Sequence, residues 1–485
     1  MVFNSWEFAS YFSVLFLLYW LLRNFRSVQN ILLVIGSFYL YSLFHYSFPI
    51  YLFSLIVISY LSGYAVSKTE NITAKRLLLY CSLFILGIGL LYLKYSGLII
   101  GNIQGLSSWQ ASALKLLVPL GISYYTFSTI GYVIDVYFKK IEPEKNFLIF
   151  TTYVSFYPYL LIGPIPSAQT ILPQFKVRSR LSLEDFDQSA GEILWGLFKK
   201  IVVSGNIMLG ISYCFKRHNE LSGSTILIGS ILFTISLYAD FSGYSDMARG
   251  LSRLLGINII KNFNNPFLSK SITELWRRWH ISLSSWLNEY LFNPMISSLR
   301  NWGKGAIVFS LIATFVICGF WHGADWKYVI FGLMQGIAIA AEYLTRKRRR
   351  AILGVLPNWL NNIISILLTF IYFSISLIFF KADSVKEANE MISSIFSKSL
   401  FTLPEVFELK YLKWCLPLII IEFIQSNGSY TFDLQQWGLT QSPDKANKKY
   451  IYSIVLKIIL YSLLGIAIWY FYKRQNMAEY YYFKF

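Results

Sequence analysis

Gly305 to Arg350 reads GAIVFSLIATFVICGFWHGADWKYVIFGLMQGIAIAAEYLTRKRRR. Two apolar runs, near 304–321 and 326–344, are each about long enough to cross a hydrocarbon layer as a helix. Between them stands FWHGADW (Phe320–Trp326), and the second run ends in the basic block Arg346, Lys347, Arg348, Arg349, Arg350. This pattern predicts two membrane helices with a histidine near their junction. The basic end faces the cytoplasm, because short loops rich in Lys and Arg are retained there.

The rest of the chain follows the same pattern. Its 485 residues are 55% hydrophobic, 18% aromatic and only 14% charged, with a mean hydropathy of +0.49. One water-soluble core cannot hide that much apolar surface. The first run, Phe8 to Leu22, lacks a basic leader and a small-residue cleavage site, and it reads as a retained helix. Further windows fall near 29–47, 48–66, 77–93, 113–137, 147–165, 190–213, 224–241, 360–380, 410–426 and 450–472, for a total of about eleven to thirteen spans. The stretches 242–257 and 271–295 are shorter or polar-interrupted, and they read as re-entrant or in-plane helices around a central cavity. The expected fold is therefore an all-α, polytopic integral membrane protein. With no internal repeat or linker, residues 1–485 read as a single domain.

The formal charge of +18 is concentrated in short loops: Arg23 and Arg26; Lys68, Lys75 and Arg76; Lys139, Lys140 and Lys145; and Arg346 to Arg350. These loops face the cytoplasm in the expected topology, with the amino terminus and the loop near Ser107 outside. The basic block needs no nucleic acid to explain it, since no folded soluble domain accompanies it.

Two of the four histidines sit where polar groups are least tolerated. His280 lies in ELWRRWHISLSSWLNEY (Glu274–Tyr290). On a continuous helix Trp276, Trp279, His280, Leu283, Trp286 and Leu287 would share one face, with Arg278, Ile281 and Ser285 opposite. Arg277 and Arg278 are then placed to meet a phosphate or carboxylate. A hydrogen-bonded structural imidazole and a functional one both remain open for His280. His322 is the stronger candidate. Gly319 and Gly323 bracket it so that a ligand or another backbone can come close, and a desolvated imidazole stays neutral and suits a general base. An ionisable group at membrane depth is a functional candidate by default.

Other polar residues carry weaker signals. Asp240, Ser242, Tyr244, Ser245 and Asp246 form the most polar cluster at membrane depth, expected to line the cavity or to anchor a re-entrant helix against Arg249 or Lys270. Lys199 and Lys200 either snorkel or meet the phosphates of a coenzyme A donor. Pro164 and Pro166 mark a helix-breaking turn. Cys81, Cys214, Cys318 and Cys415 show no metal-ligand spacing, and no metal is expected. Cys318 would share a helix face with His322, so a thiol nucleophile is weighed against close packing, which is preferred. His45 and His218 read as surface residues.

WRRWHISLSSWL followed about forty residues later by CGFWHGADWKYVIFGLMQG resembles the membrane-bound O-acyltransferase family. The similarity is to its bacterial branch, which acts in alginate and peptidoglycan O-acetylation and, more distantly, in D-alanyl transfer to teichoic acid. Further stretches agree in order: MVFNSWEFASYF at the start, VPLGISYYTFSTIGYVIDVY (Val118–Tyr137), FYPYLLIGPIP (Phe156–Pro166), GLFKKIVVSGN (Gly196–Asn206), DFSGYSDMARGLSRLLGI (Asp240–Ile257), NFNNPFLSKSITELWRRWH (Asn262–His280), LIFFKADSVKEA (Leu377–Ala388) and the terminal YYYFKF. LFNPMISSLRNWGK (Leu291–Lys304) departs from the IPLGGNR-like stretch usual in alginate-type members, and Lys381 stands where Arg is common. These departures leave the acceptor open.

The resemblance implies acyl transfer to a hydroxyl, with His322 as catalytic base and His280 as the second important histidine of the branch. Trp276, Arg277, Arg278, Trp279, Trp321, Asp240, Tyr244 and Asp246 are the expected substrate contacts. The implied donor is acetyl-coenzyme A, with no bound cofactor, and the implied acceptor is a cell-envelope polysaccharide or peptidoglycan. A secreted or membrane-tethered SGNH-type acetyltransferase is the expected partner, and the bacterial inner membrane, with its lipids, the expected location. D-alanyl transfer to teichoic acid, or passive passage of an acyl group by a transporter, are the alternatives.

Overall fold

The computed structural model describes residues 3–101, 118–323, 325–405, 409–424 and 448–472. Ser107, parts of the 113–137 and 410–426 windows and the terminal YYYFKF lie outside them. Among the described residues every regular element is helical. Seven helices are at least 18 residues long and apolar enough to cross a membrane. The protein is a multi-pass membrane protein.

The chain divides into two compact units, Met1–Ser189 with Ala248–Lys261, and Ala190–Met247 with Asn262–Phe485. The first contains α1 (Trp6–Leu21), α2 (Arg26–Ser42), α3 (Phe48–Lys68), α4 (Ile72–Gly101), α5 (Ile122–Tyr137), α6 (Phe147–Ser155), α7 (Tyr157–Leu160) and α8 (Ala168–Lys176), and it receives the start of α9 (Leu183–Leu197). Its cytoplasm-predicted Arg26 is not a loose loop charge. The guanidinium donates to the carbonyls of Gln174 (2.6 Å) and Phe175 (3.0 Å) and to the hydroxyls of Tyr19 (2.7 Å) and Ser179 (2.9 Å).

The 147–165 window is not one span. The helix stops at Ser155, restarts for one turn and then runs irregularly through Gly163-Pro164. Broken backbone at depth requires substitute partners, and side-chain hydroxyls supply them. Tyr153 Oη donates to Pro166 O (3.1 Å), Tyr159 Oη donates to Tyr153 O, and Ser37 Oγ accepts from Tyr157 N (3.2 Å).

The second unit carries α10 (Gly205–Lys216), most of α11 (Gly223–Leu254), the short helices α12 (Ile272–Arg278), α13 (Ile281–Leu287) and α14 (Asn293–Ser298), then α15 (Lys304–His322), α16 (Trp326–Leu353), α17 (Asn358–Lys381), α18 (Val385–Ile395), α19 (Leu416–Ile424) and α20 (Lys448–Tyr472). The expectation of a separate re-entrant helix over 242–257 is corrected here. α11 runs unbroken for 32 residues. Its carboxylates do not break it because a π-helical turn, Phe198–Ser204, brings two lysines against them. Lys199 Nζ lies 2.5 Å from Asp246 Oδ2 and donates to Ser242 Oγ (2.9 Å), while Lys200 pairs with Asp240. Gly196 and Gly243 allow this approach, since a Cβ on Gly196 would lie 2.5 Å from the Gly243 carbonyl oxygen.

The 271–295 stretch forms a series of short helices rather than one. Ser271 caps α12 by accepting from Glu274 N (3.0 Å), the S-x-x-E start signal. The helix breaks at Trp279–His280, resumes as α13, and passes through a π turn (Asn288–Phe292) into α14. α15 and α16 form the hairpin foreseen at the start. A Cβ on Gly319 would lie 2.2 Å from Tyr328 O, and one on Gly332 would lie 2.1 Å from Phe315 O. Two bare backbones thus touch, which is the small-residue packing that holds helices together in lipid.

Candidate active site

His280 occupies the corner between α12 and α13 with φ 45° and ψ 53°, a left-handed conformation costly for a residue with a Cβ. The preceding loop holds it there. Asn262 O accepts from Ile281 N (2.9 Å), and Asn264 N donates to Arg278 O (2.8 Å). The Asn262 side-chain oxygen accepts from Ser282 N (3.0 Å) and Ser282 Oγ (2.9 Å), and Nδ1 of His280 lies 3.3 Å from it. A backbone N–H can only donate, so that atom is an acceptor. The His280 proton is therefore on Nδ1, and Nε2 is the basic nitrogen of the neutral ring. Burial pushes the imidazole well below the usual histidine range, to about 3.

The helical wheel drawn across Trp276 to Leu287 does not apply through this break, yet the ring stays in an aromatic setting. Phe241 meets it edge-on at 4.7 Å between centroids, and Trp321 at 6.4 Å. Trp321 in turn packs against His322 at 4.5 Å. The two histidines, 42 positions apart in sequence, thus share one indole neighbour.

His322 is the last residue of α15 and is buried. Phe380 meets its ring edge-on at 5.0 Å. The neighbours singled out in sequence have positional roles. Asp325 Oδ1 accepts from Lys327 N (3.1 Å) at the start of α16, and Lys327 Nζ donates to Ala382 O (2.6 Å), fastening that start to the end of α17. Gly319 and Gly323 admit the main chain and ring of Tyr328. Cys318 is buried one turn before His322.

A cavity of about 720 Å3 opens beside this layer. α12 and α13 wall it with Trp276, Arg277, Ile281, Ser284 and Ser285; α15 adds Thr314 and Phe315; α16 adds Glu342, Arg346 and Arg349. Glu342 fixes the wall by accepting from Ile272 N (2.7 Å), Thr273 N (3.0 Å) and Thr273 Oγ1 (2.6 Å). Three guanidinium groups stand on one cavity, Arg349 within 3.8 Å of Glu342 Oε1, and their excess positive charge suits a ligand carrying negative charge.

The expected substrate contacts therefore separate. Trp276 and Arg277 line the cavity, whereas Arg278 turns away into an ion pair with Glu274 (2.7 Å). Trp279 packs on Phe263 and Phe373, and Trp321 joins the histidines. Asp240 and Asp246 are consumed by Lys200 and Lys199, and neither they nor Tyr244 line the cavity. Arg249 and Lys270 are not the partners those ion pairs use, and the lysines neither snorkel nor reach the cavity. Asn262, Gln335 and the cavity role of Arg346 and Arg349 were not foreseen. Asn262 does open the quoted NFNNPF stretch, and a lone glutamine in an apolar run such as Gln335 is a usable signal.

The sequence profile described as the membrane-bound O-acyltransferase family matches residues 143–381. The matched stretch includes both histidines. A probable alginate O-acetylase of Pseudomonas syringae pv. tomato is 33% identical over 416 residues, covering 84% of this chain and 77% of the relative. A peptidoglycan O-acetyltransferase of Helicobacter pylori is 29% identical over 462 residues, 84% of this chain and 86% of the relative. A teichoic acid D-alanyltransferase of Bacillus subtilis is 27% identical over 274 residues, 53% and 67% respectively. Profile and relatives agree that this chain belongs to the membrane-bound O-acyltransferase family, and that it is an O-acyltransferase.

Proposed function

We propose that this protein takes an acetyl group from acetyl-coenzyme A on the cytoplasmic side and passes it across the bacterial inner membrane for O-acetylation of an envelope polysaccharide or peptidoglycan. The observation that carries the reading is the arginine-lined cavity beside the histidine layer. Arg346 and Arg349 belong to the block that the positive-inside rule puts in the cytoplasm, where coenzyme A thioesters are made. Acetylation is favoured over D-alanylation because the acetylating relatives align across 84% of the chain and the D-alanyl transferase across 53%. A secreted or membrane-tethered SGNH-type acetyltransferase is the proposed partner completing delivery to the sugar.

The chemistry asks little of the protein beyond a base and a dry, shaped site. An acceptor hydroxyl loses its proton to the His322 imidazole as its oxygen bonds to the thioester carbonyl carbon. Collapse of the tetrahedral intermediate breaks the carbon–sulfur bond, and the imidazolium returns the proton to the leaving thiolate. His280, with its Nε2 lone pair, orients the acceptor.

Steady-state kinetics of the purified protein with acetyl-coenzyme A test the donor assignment. Changing Arg277, Arg346 and Arg349 together to Gln should raise the donor KM about tenfold or more, since charged hydrogen bonds are worth about 1.5–3 kcal/mol each, with a smaller effect on kcat. An unchanged donor KM would remove the cavity from the donor path.

A further inference from the structure

The stretch after α17 falls between the apolar windows of the sequence, where a connection running through water is the default. It nevertheless presents three large apolar side chains almost fully exposed: Phe396 (74%), Phe401 (88%) and Leu403 (93%). Their backbone is not loose. Ser399 Oγ accepts from Gly223 N (2.9 Å), Glu405 N donates to Thr225 Oγ1 (3.1 Å), and Tyr213 Oη donates to Glu405 Oε2 (3.0 Å). On the other side α18 buries Ala388, Met391 and Ile395, and its Ser394 carbonyl oxygen would lie 2.2 Å from a Cβ on Gly223. Apolar groups held outward on a fixed backbone mark a surface that something covers.

The fastenings say what covers it. Gly223 and Thr225 open α11, and Tyr213 stands in the last turn of the continuous helix Leu183–Lys216; both helices are long and apolar enough to cross a membrane. The segment is thus tied to the ends of two spans, at the level where hydrocarbon gives way to headgroups. Its exposed apolar surface also continues into the flanks of those spans. Leu209, 67% exposed, lies one turn before Tyr213, and the neighbouring Gly210 takes the ring of Tyr411, whose Cδ2 would lie 2.6 Å from a Cβ there. From Tyr411 the chain leads to the exposed Leu416, Ile419 and Ile420 of α19. Lys216, Lys398, Lys410 and Lys413 are exposed around it, as suits side chains that lay their stems on apolar surface and reach headgroup phosphates. The outward face of α18 is different, with Lys386, Asn389, Glu390 and Ser393 exposed.

We propose that segment 396–403 is an interfacial anchor, with Phe396, Phe401 and Leu403 set into the headgroup–acyl boundary of the leaflet on the His322 side and the outward face of α18 left in water. Aromatic and leucine side chains beside lysines are the chemistry by which a surface element lies in a leaflet without crossing it. The anchor belongs to the His322 end of the molecule because α17 ends there. Phe380 meets the His322 ring at 5.0 Å, and Lys381 Nζ lies 5.4 Å from the ring centroid of Phe215 in the last turn of α10. The leaflet would then hold the end of α17, and Phe380 with it, at a fixed depth. Nothing in this depends on which acyl donor is used.

Depth measurement tests the anchor directly. The protein is placed in nanodiscs of phosphatidylethanolamine and phosphatidylglycerol, with a nitroxide attached at Phe396→Cys, Phe401→Cys or Leu403→Cys, one at a time. Cys81→Ser removes the exposed native thiol, and Cys214, Cys318 and Cys415 are buried. Leu209→Cys is the lipid reference and Lys386→Cys the water reference. Power saturation then compares collisions with oxygen, which concentrates in hydrocarbon, against a water-soluble nickel chelate, which is excluded from it. The oxygen-to-nickel ratio at the three positions should exceed that at Lys386→Cys several-fold and approach that at Leu209→Cys. All of these side chains are exposed, so the monodisperse labelled variants keep the native fold. Nickel contact at all three positions equal to that at Lys386→Cys would overturn the anchor and leave the segment standing in water.

Discussion

Replacing Asn262 by alanine removes one side-chain oxygen and leaves three donors facing it. The Ser282 hydroxyl can rotate away, but Ser282 N and His280 Nδ1 are held by the left-handed corner that places them. Each stranded buried donor costs about 1–3 kcal/mol, so the substitution should destabilise by roughly 2–6 kcal/mol. That is a large share of the roughly 5–15 kcal/mol that holds a typical domain. His280 can escape part of the penalty by moving its proton to Nε2, and that would remove the basic lone pair that the proposed orienting role needs. Asn262→Ala should therefore lower the unfolding temperature in detergent and reduce acyl transfer even below that temperature. Asn262→Asp, which keeps the accepting oxygen, should recover most of the stability. A wild-type melting point and rate for Asn262→Ala would refute both the tautomer assignment and the role of this loop.

Three further outcomes follow from the same geometry. Lys199→Met leaves Asp246 buried without its cation and should cost about 3–5 kcal/mol, whereas Lys386→Met, whose Glu390 partner is 3.9 Å away on the surface, should cost less than about 1 kcal/mol; thermal unfolding of both variants compares them. His280→Gln, which keeps a hydrogen-bonding side chain, should retain more acyl transfer than His322→Gln, and equal complete loss would mean the two act as one unit. Between about pH 6 and 9 the rate should show no titration from His280, because its depressed pKa keeps it neutral throughout and it would protonate only as the pH falls toward about 3; an activity profile with His280→Gln as control checks this.

What the sequence revealed and what it hid divide along physical lines. Apolar windows are local signals, so the membrane class and the α15–α16 hairpin were legible. Charge in an apolar helix was misleading. Asp240 and Asp246 looked like a break or a cavity lining because their lysine partners lie 40 and 47 positions earlier and reach them only through a π-helical turn. Periodicity failed at His280 for a similar reason. The helical pattern runs straight through Trp279–His280, and the left-handed residue that breaks it is imposed by Asn262, eighteen positions away. Arg346 and Arg349 were read through topology alone, since nothing local shows that α16 brings them round to face Arg277.

On the proposed mechanism the buried histidine ending α15 carries the acyl transfer. His322→Ala, purified as a monodisperse protein with a wild-type unfolding temperature, should lose acyl transfer from acetyl-coenzyme A by a factor of about 100 or more, the scale of a missing general base. The same variant transferring acetyl groups at nearly the wild-type rate would contradict the account.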